Sequence, residues 1–92
     1  MLKPEFTGQF KKDYKAAVKR GFNLEELMEA IDLLCKEQPL PEKYRDHLLV
    51  NSRNYKDIRV CHIEPDWLLI YKTCRDVLIL KLLRTGSQSD LF

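Results

Sequence analysis

The sequence predicts an α+β domain in which two N-terminal antiparallel helices pack on a four-stranded, mostly antiparallel sheet. Three observations carry that prediction. Apolar residues recur at helical spacing as far as Cys35, and Gln38-Pro39-Leu40-Pro41 then stops the pattern. Past these prolines come β-branched and leucine-rich runs separated by turn residues. The 92 residues suffice for one domain, spanning 1–92, with one modest core. A composition of 45% hydrophobic and 33% charged residues, with only three glycines, excludes a disordered or low-complexity chain.

The helices come first. Phe6, Phe10, Tyr14 and Val18 recur every four residues beside a stripe of Lys11, Lys15 and Lys19. This predicts an amphipathic helix from an N-cap at Thr7 to Arg20, ended by Gly21. Asn23 caps the second helix, Glu26 completes a capping-box-like pair, and Phe22 and Leu27 are spaced as a hydrophobic staple. Its core face reads Leu24, Leu27, Met28, Ile31, Leu34 and Cys35. A linker of only about two residues makes the pair an antiparallel hairpin.

Beyond Pro41, strands are expected at Leu48–Val50, Tyr55–Ile63, Trp67–Thr73 and Val77–Thr85. Asn51-Ser52-Arg53-Asn54 reads as a loop and Cys74-Arg75-Asp76 as a turn. Leu68-Leu69-Ile70 and Leu78-Ile79-Leu80 are apolar on both faces and belong in the middle of a sheet. Residues 2–5 can add an edge strand, although Pro4 weighs against it. Helices on one face leave the other for the polar groups that interrupt the strands.

The net charge of +2 is unevenly spread: Thr7–Arg20 holds five basic residues against Asp13, and Asn23–Glu37 five acidic ones against Lys36. Cys35, Cys61 and Cys74 form no CxxC pair and read as small buried hydrophobes in a reducing compartment. A zinc site from Cys61, His62 and His47 lacks the usual ligand spacing, so neither metal nor other cofactor is expected. No basic-then-apolar leader and no apolar run near roughly 18 residues occurs, which predicts a soluble, cytoplasmic protein with no membrane partner.

Polar chemistry gathers at the ends of the expected strands. His47 opens the first, His62 closes the second, Asp66 and Trp67 begin the third, Arg84 ends the fourth, and Gln88 and Phe92 lie in the tail. The Glu64-Pro65-Asp66 turn keeps His62 and Asp66 close, and Arg84 reaches the same rim through strand pairing. A histidine, a carboxylate and an arginine at one edge can move protons at a phosphodiester and hold its charge. Each has a plainer reading as well. The histidines can be packed or solvated, Asp66 a turn residue, Arg84 a partner of Asp90, Trp67 core, and Phe92 tucked against the sheet. The basic first helix can be a solvated face balanced by the acidic second. Pattern alone therefore reaches a small α+β domain with an anionic-ligand site.

The blocks YRDHLL (44–49), YKDIRVCHIEPDWLLIYK (55–72) and LLRTGSQSDLF (82–92) carry more. In this order, with FTGQFKKD (6–13) and LPEKY (40–44), the chain closely resembles the YafQ family of bacterial toxins, part of the wider RelE-like group of type II toxin–antitoxin systems. The resemblance implies a ribosome-dependent mRNA endoribonuclease that cuts in the A site without a metal, the ribose 2′-OH attacking the adjacent phosphorus. It also implies a cognate antitoxin as partner, beside the ribosome and mRNA, and a monomeric free toxin. Carried over by position, the proton-transfer histidines fall on His47 and His62, and a base or orienting carboxylate on Asp66. The phosphate-binding arginine falls on Arg84, and substrate-packing aromatics on Trp67 and Phe92. Lys56, Arg59 and the first helix's lysines would meet nucleic-acid phosphates. One departure stands out: the family's tail commonly reads R-T-G-S-H, whereas this chain has Gln88, which cannot exchange a proton near neutral pH. Attenuated cleavage is therefore expected, with a silenced toxin that only binds as the alternative. A ParE-like gyrase inhibitor would share the fold but has no use for His47, His62, Asp66 and Arg84.

Overall fold

Thr7 accepts the Phe10 N–H (3.2 Å) on its hydroxyl, and helix α1 runs from Gly8 to Lys19 behind that cap. At its end Gly21 takes φ 74°, so that the Phe22 N–H reaches the Ala17 carbonyl and the Gly21 N–H that of Val18. Asn23 accepts from the Glu26 N–H (3.4 Å) and opens helix α2, Leu24–Cys35. The computed structural model that carries these features describes residues 1–49 and 57–92. Both helices are rotated slightly from the expected faces. Phe10 and Ala17 of α1 are buried with Tyr14 packed beside them, while Val18 is 47% exposed; in α2, Leu27, Ala30, Ile31 and Cys35 are buried and Met28 is 42% exposed.

Among the described residues the sheet has five strands rather than four. They are β1 (Lys3–Phe6), β2 (His47–Leu48), β3 (Ile58–Glu64), β4 (Trp67–Cys74) and β5 (Ile79–Gly86), in the order β1-β5-β4-β3-β2. Strand β1 lies parallel to β5 and the other pairs are antiparallel. Pro4 is compatible with a strand because β1 is an edge, where a missing N–H breaks no ladder. The expected Leu48–Val50 strand is the two-residue β2, and Val50, the 51–54 loop, Tyr55 and Lys56 lie outside the described residues. Strand β4 continues through Cys74, and β5 begins at Ile79 rather than Val77. Val77 and Leu78 form the turn, 60% and 56% exposed, with Leu78 left-handed at φ 55°.

Alternation along β3 and β4 sorts the side chains into two layers. Cys61, Ile63, Trp67, Leu69 and Tyr71 join Leu80, Leu82 and the helices in the main core. Ile58, Val60, Leu68 and Ile70 form a smaller cluster on the opposite face, with Leu49, Leu83 and Leu91 half-buried against it. Two short elements went unanticipated: a 3₁₀ turn at Glu42–Tyr44, pinned by the buried Tyr44, and a four-residue helix α3, Gln88–Leu91.

Candidate active site

His47 is the register partner of Val60 across β2 and β3, and His62 follows Val60 by two residues. All three therefore project from the face opposite the helices. The imidazole ring centres lie 6.1 Å apart. With Leu49, Leu68, Gln88 and Phe92 they line a hollow of about 370 Å³. Neighbouring strands thus carry the two histidines, and the chain's tail closes the hollow.

The two imidazoles are presented differently. Nδ1 of His47 lies 2.6 Å from the carbonyl oxygen of Arg45, which can only accept, so Nδ1 bears the hydrogen. The neutral ring then keeps its lone pair on Nε2, the arrangement of a proton acceptor. Arg45 delivers that carbonyl from a left-handed conformation (φ 46°) at the end of the 3₁₀ turn. Nδ1 of His62 is buried and has no hydrogen-bond partner among the described residues, which leaves Nε2 as the nitrogen able to exchange protons with a ligand.

Polar contacts hold the tail in place. Ser87 and Asp90 form a reciprocal capping box around α3 (3.3 and 3.0 Å), and Arg20 of α1 pairs with Asp90 at 2.6 Å. The bonds from Ser87, then the Arg20 guanidinium, lower the Asp90 carboxyl to about 2. Asp66 accepts the backbone N–H of Gln88 (3.3 Å). Gly86 allows the fold-back, since a Cβ there would stand 3.3 Å from that of Asp90. Phe92, 61% exposed, ends the chain at the mouth of the hollow.

The family described as the bacterial toxin of type II toxin–antitoxin system, YafQ, is matched over residues 2–92. The chain belongs to the YafQ family. An mRNA interferase toxin YafQ of Escherichia coli (strain B / BL21-DE3) is 43% identical over 89 residues, 96% of this chain and 92% of that one. The crystal structure of a metal-bound toxin from Helicobacter pylori shares 44% identity over 100% of both chains, with a TM-score of 0.92. The toxin fold also matches the crystal structure of an E. coli DinJ–YafQ complex at a TM-score of 0.89 and 40% identity, covering 100% of this chain and 99% of that one.

The positions carried over from the YafQ resemblance divide between the two faces. His47, His62, Gln88 and Phe92 meet at the hollow. Trp67 does not: it is 1% exposed on the helix side, its ring 4.7 Å from that of Phe22 and its Nε1–H donating to Thr85 (2.7 Å). That corrects its assignment as a substrate aromatic. Arg59 is likewise on the helix side, where it grips Asp46 through three contacts of 3.1–3.3 Å, and so is not beside the histidines. Arg84 directs Nε and Nη2 to Asp13 of α1 (3.0 and 3.1 Å), and that carboxylate also accepts the Thr85 N–H. A register shift between Ile70 and Tyr71 sets Arg84 apart from strict alternation, and it lines a separate hollow with Asp13, Arg20 and Asp90. Asp66 holds the tail. Lys56 lies outside the described residues. Cys61 faces the core opposite His62, and burial pushes its thiol up to about 12; among the described residues no three ligating side chains cluster. No described helix is long and apolar enough to cross a membrane.

Proposed function

We propose that this YafQ-family toxin is an mRNA endoribonuclease acting in the ribosomal A site, in the cytoplasm where ribosomes are. The observation that carries the reading is the His47–His62 pair, 6.1 Å apart across a hollow that a nucleotide can enter. The rings are too far apart to hydrogen-bond and near enough for both to reach one phosphodiester. His47 Nε2 takes the proton of the ribose 2′-OH, whose oxygen attacks the adjacent phosphorus. The P–O5′ bond breaks, and His62 Nε2 returns a proton to the leaving oxygen. The products are a 2′,3′-cyclic phosphate and a free 5′-OH, and the need for the 2′-OH makes the site specific for RNA. Phe92 offers a face for base stacking, and Gln88 a hydrogen bond to phosphate.

The E. coli relative is named an mRNA interferase and another YafQ is crystallised with DinJ, which supports a ribonuclease with a cognate antitoxin. An apolar groove of about 460 Å³ among Phe6, Phe10, Tyr14 and Met28, edged by Lys11 and Lys15, suits an acidic amphipathic segment of that antitoxin.

Primer extension on ribosomes holding a defined mRNA tests the reading. Wild type should cut in the A site, and His47→Ala and His62→Ala should each lose at least about 10²-fold. Unchanged cleavage in either variant removes that histidine from the mechanism. Gln88 favours one second reading. If only Gln88→His cuts, the chain is a silenced ribonuclease whose remaining activity is binding.

A further inference from the structure

Asp46 sits immediately before His47, and the two consecutive side chains point in opposite directions. His47 enters the hollow, whereas Asp46 points through to the helix side. There its carboxylate, 25% exposed, accepts Arg59 Nε and Nη2 from β3 and the Tyr71 hydroxyl from β4. Burial first, and then the Asp46 carboxylate, raise the Tyr71 hydroxyl, so it remains protonated and donating. The Asp46 hydrogen bond likewise raises the Arg59 guanidinium, which stays charged. Two neighbouring strands thus hold one carboxylate.

That grip matters because β2 has little else. Among the described residues it spans two residues and pairs through His47↔Val60 and Leu48↔Arg59, with one further bond from the Leu49 N–H to the Ile58 carbonyl (2.8 Å). So short a strand is marginal. Upstream, Arg45 must hold its left-handed φ of 46° for its carbonyl to meet His47 Nδ1 at 2.6 Å. A left-handed arginine is strained, and surrounding structure has to impose it. Asp46, tied down one residue later, supplies that constraint.

We propose that Asp46, held by Arg59 and Tyr71, is the positioning residue that fixes the ring and tautomer of His47. The proposal rests on the reading of His47 as the base. It recasts Arg59: this arginine acts on the reaction through the sheet, as a clamp, and not by touching phosphate. Asp46, Arg59 and Tyr71 are on the far face and never contact the RNA.

Nitrogen-15 NMR of the imidazoles tests the tautomer without reference to activity. In wild type, neutral His47 should be the Nδ1–H form. In Asp46→Asn and Tyr71→Phe it should become a mixture with the Nε2–H form. Single-turnover cleavage on programmed ribosomes should slow roughly 10–100-fold at saturating toxin in Asp46→Asn, with the half-saturating concentration within about twofold. Tyr71→Phe keeps the packed ring, so it remains informative if Asp46→Asn folds poorly. An unchanged tautomer in the folded variants overturns the proposal, as does a loss confined to the half-saturating concentration. A shifted tautomer with wild-type cleavage keeps the clamp's effect on the ring but denies His47 the base role, which is the failure of the underlying reading.

Discussion

Trp67→Phe separates the buried tryptophan seen here from a substrate-stacking one. Phenylalanine keeps an aromatic ring against Phe22, 4.7 Å away, but removes the Nε1–H that donates to Thr85 Oγ1 at 2.7 Å. Thr85 still donates to the Leu68 carbonyl (2.8 Å), so the hydroxyl loses one partner of two, a cost of about 1 kcal/mol. The smaller ring leaves a partly collapsible space in a side chain's place that is 1% exposed, worth about 1–2 kcal/mol more, below the full truncation range. The expected loss is about 2–3 kcal/mol. A 92-residue domain holds about 5–14 kcal/mol, so the variant remains folded at 25 °C while its Tm falls by about 10–20 °C. Thermal unfolding by circular dichroism reads the first effect, and ribosomal cleavage at 25 °C should stay within about threefold of wild type. A double-mutant cycle with Thr85→Val should return a coupling of about 1 kcal/mol. Unaltered Tm with cleavage reduced tenfold or more would refute the burial argument and make the indole a substrate contact.

Three more outcomes are expected. Arg84→Lys should cost about 1 kcal/mol, since lysine cannot make both contacts to Asp13, and should spare cleavage while the protein is folded; a large loss in the folded variant assigns the guanidinium to phosphate instead. Because the folded Asp90 carboxyl is lowered from 3.8 to about 2, its stabilisation of α3 is complete above about pH 4 and disappears as pH falls toward 2. The amide resonances of Gln88 and Phe92 should report that fraying first, and Arg20→Ala should move it to higher pH. Met28→Lys, at an exposed groove position, should weaken antitoxin binding at least tenfold and leave ribosomal cleavage and Tm unaltered; unweakened binding places the antitoxin elsewhere.

Much of the fold was legible because its boundaries are local chemistry. Thr7, Gly21 and Asn23 terminate helices through bonds to their own neighbours, and each did so where the sequence indicated. Elements defined by distant partners were harder. Strand β1 exists because β5 offers it an edge, and α3 because Ser87, Asp90, Arg20 and Asp66 meet, a conjunction that four residues of sequence do not announce. At the site, connectivity put His62 beside Asp66 and led Arg84 to the same rim, whereas the structure sets His62 beside His47 and turns Arg84 to Asp13. Trp67 was read from its place at a strand start and Arg59 from its charge, and both lie on the helix side. Period-two counting from Cys61 and Leu69 puts both on the core side, and that signal was available. Asp46 carried no such signal, since only the structure joins it to Tyr71.

The site is rigid on one side and soft on the other, and the two sides should control different steps. His62 stands on β3, backed by the smaller apolar cluster, and His47 on the short β2 that Asp46 ties to β3 and β4, so their separation is set by the sheet and that clamp. Gln88 and Phe92 stand on or beyond a helix of four residues, too short to persist alone. Their support is Leu91, half-buried against the sheet, and contacts to Asp66 and Arg20 that are largely exposed and screened by salt. A substrate whose base stacks on Phe92 must order that tail as it binds, and this ordering cost enters affinity. Chemistry at the phosphorus depends instead on the fixed imidazoles. Weakening the tail through Arg20 or Asp66 should therefore raise the toxin concentration needed for half-maximal cleavage, more so at high salt, while the rate at saturation answers to the strand-borne pair.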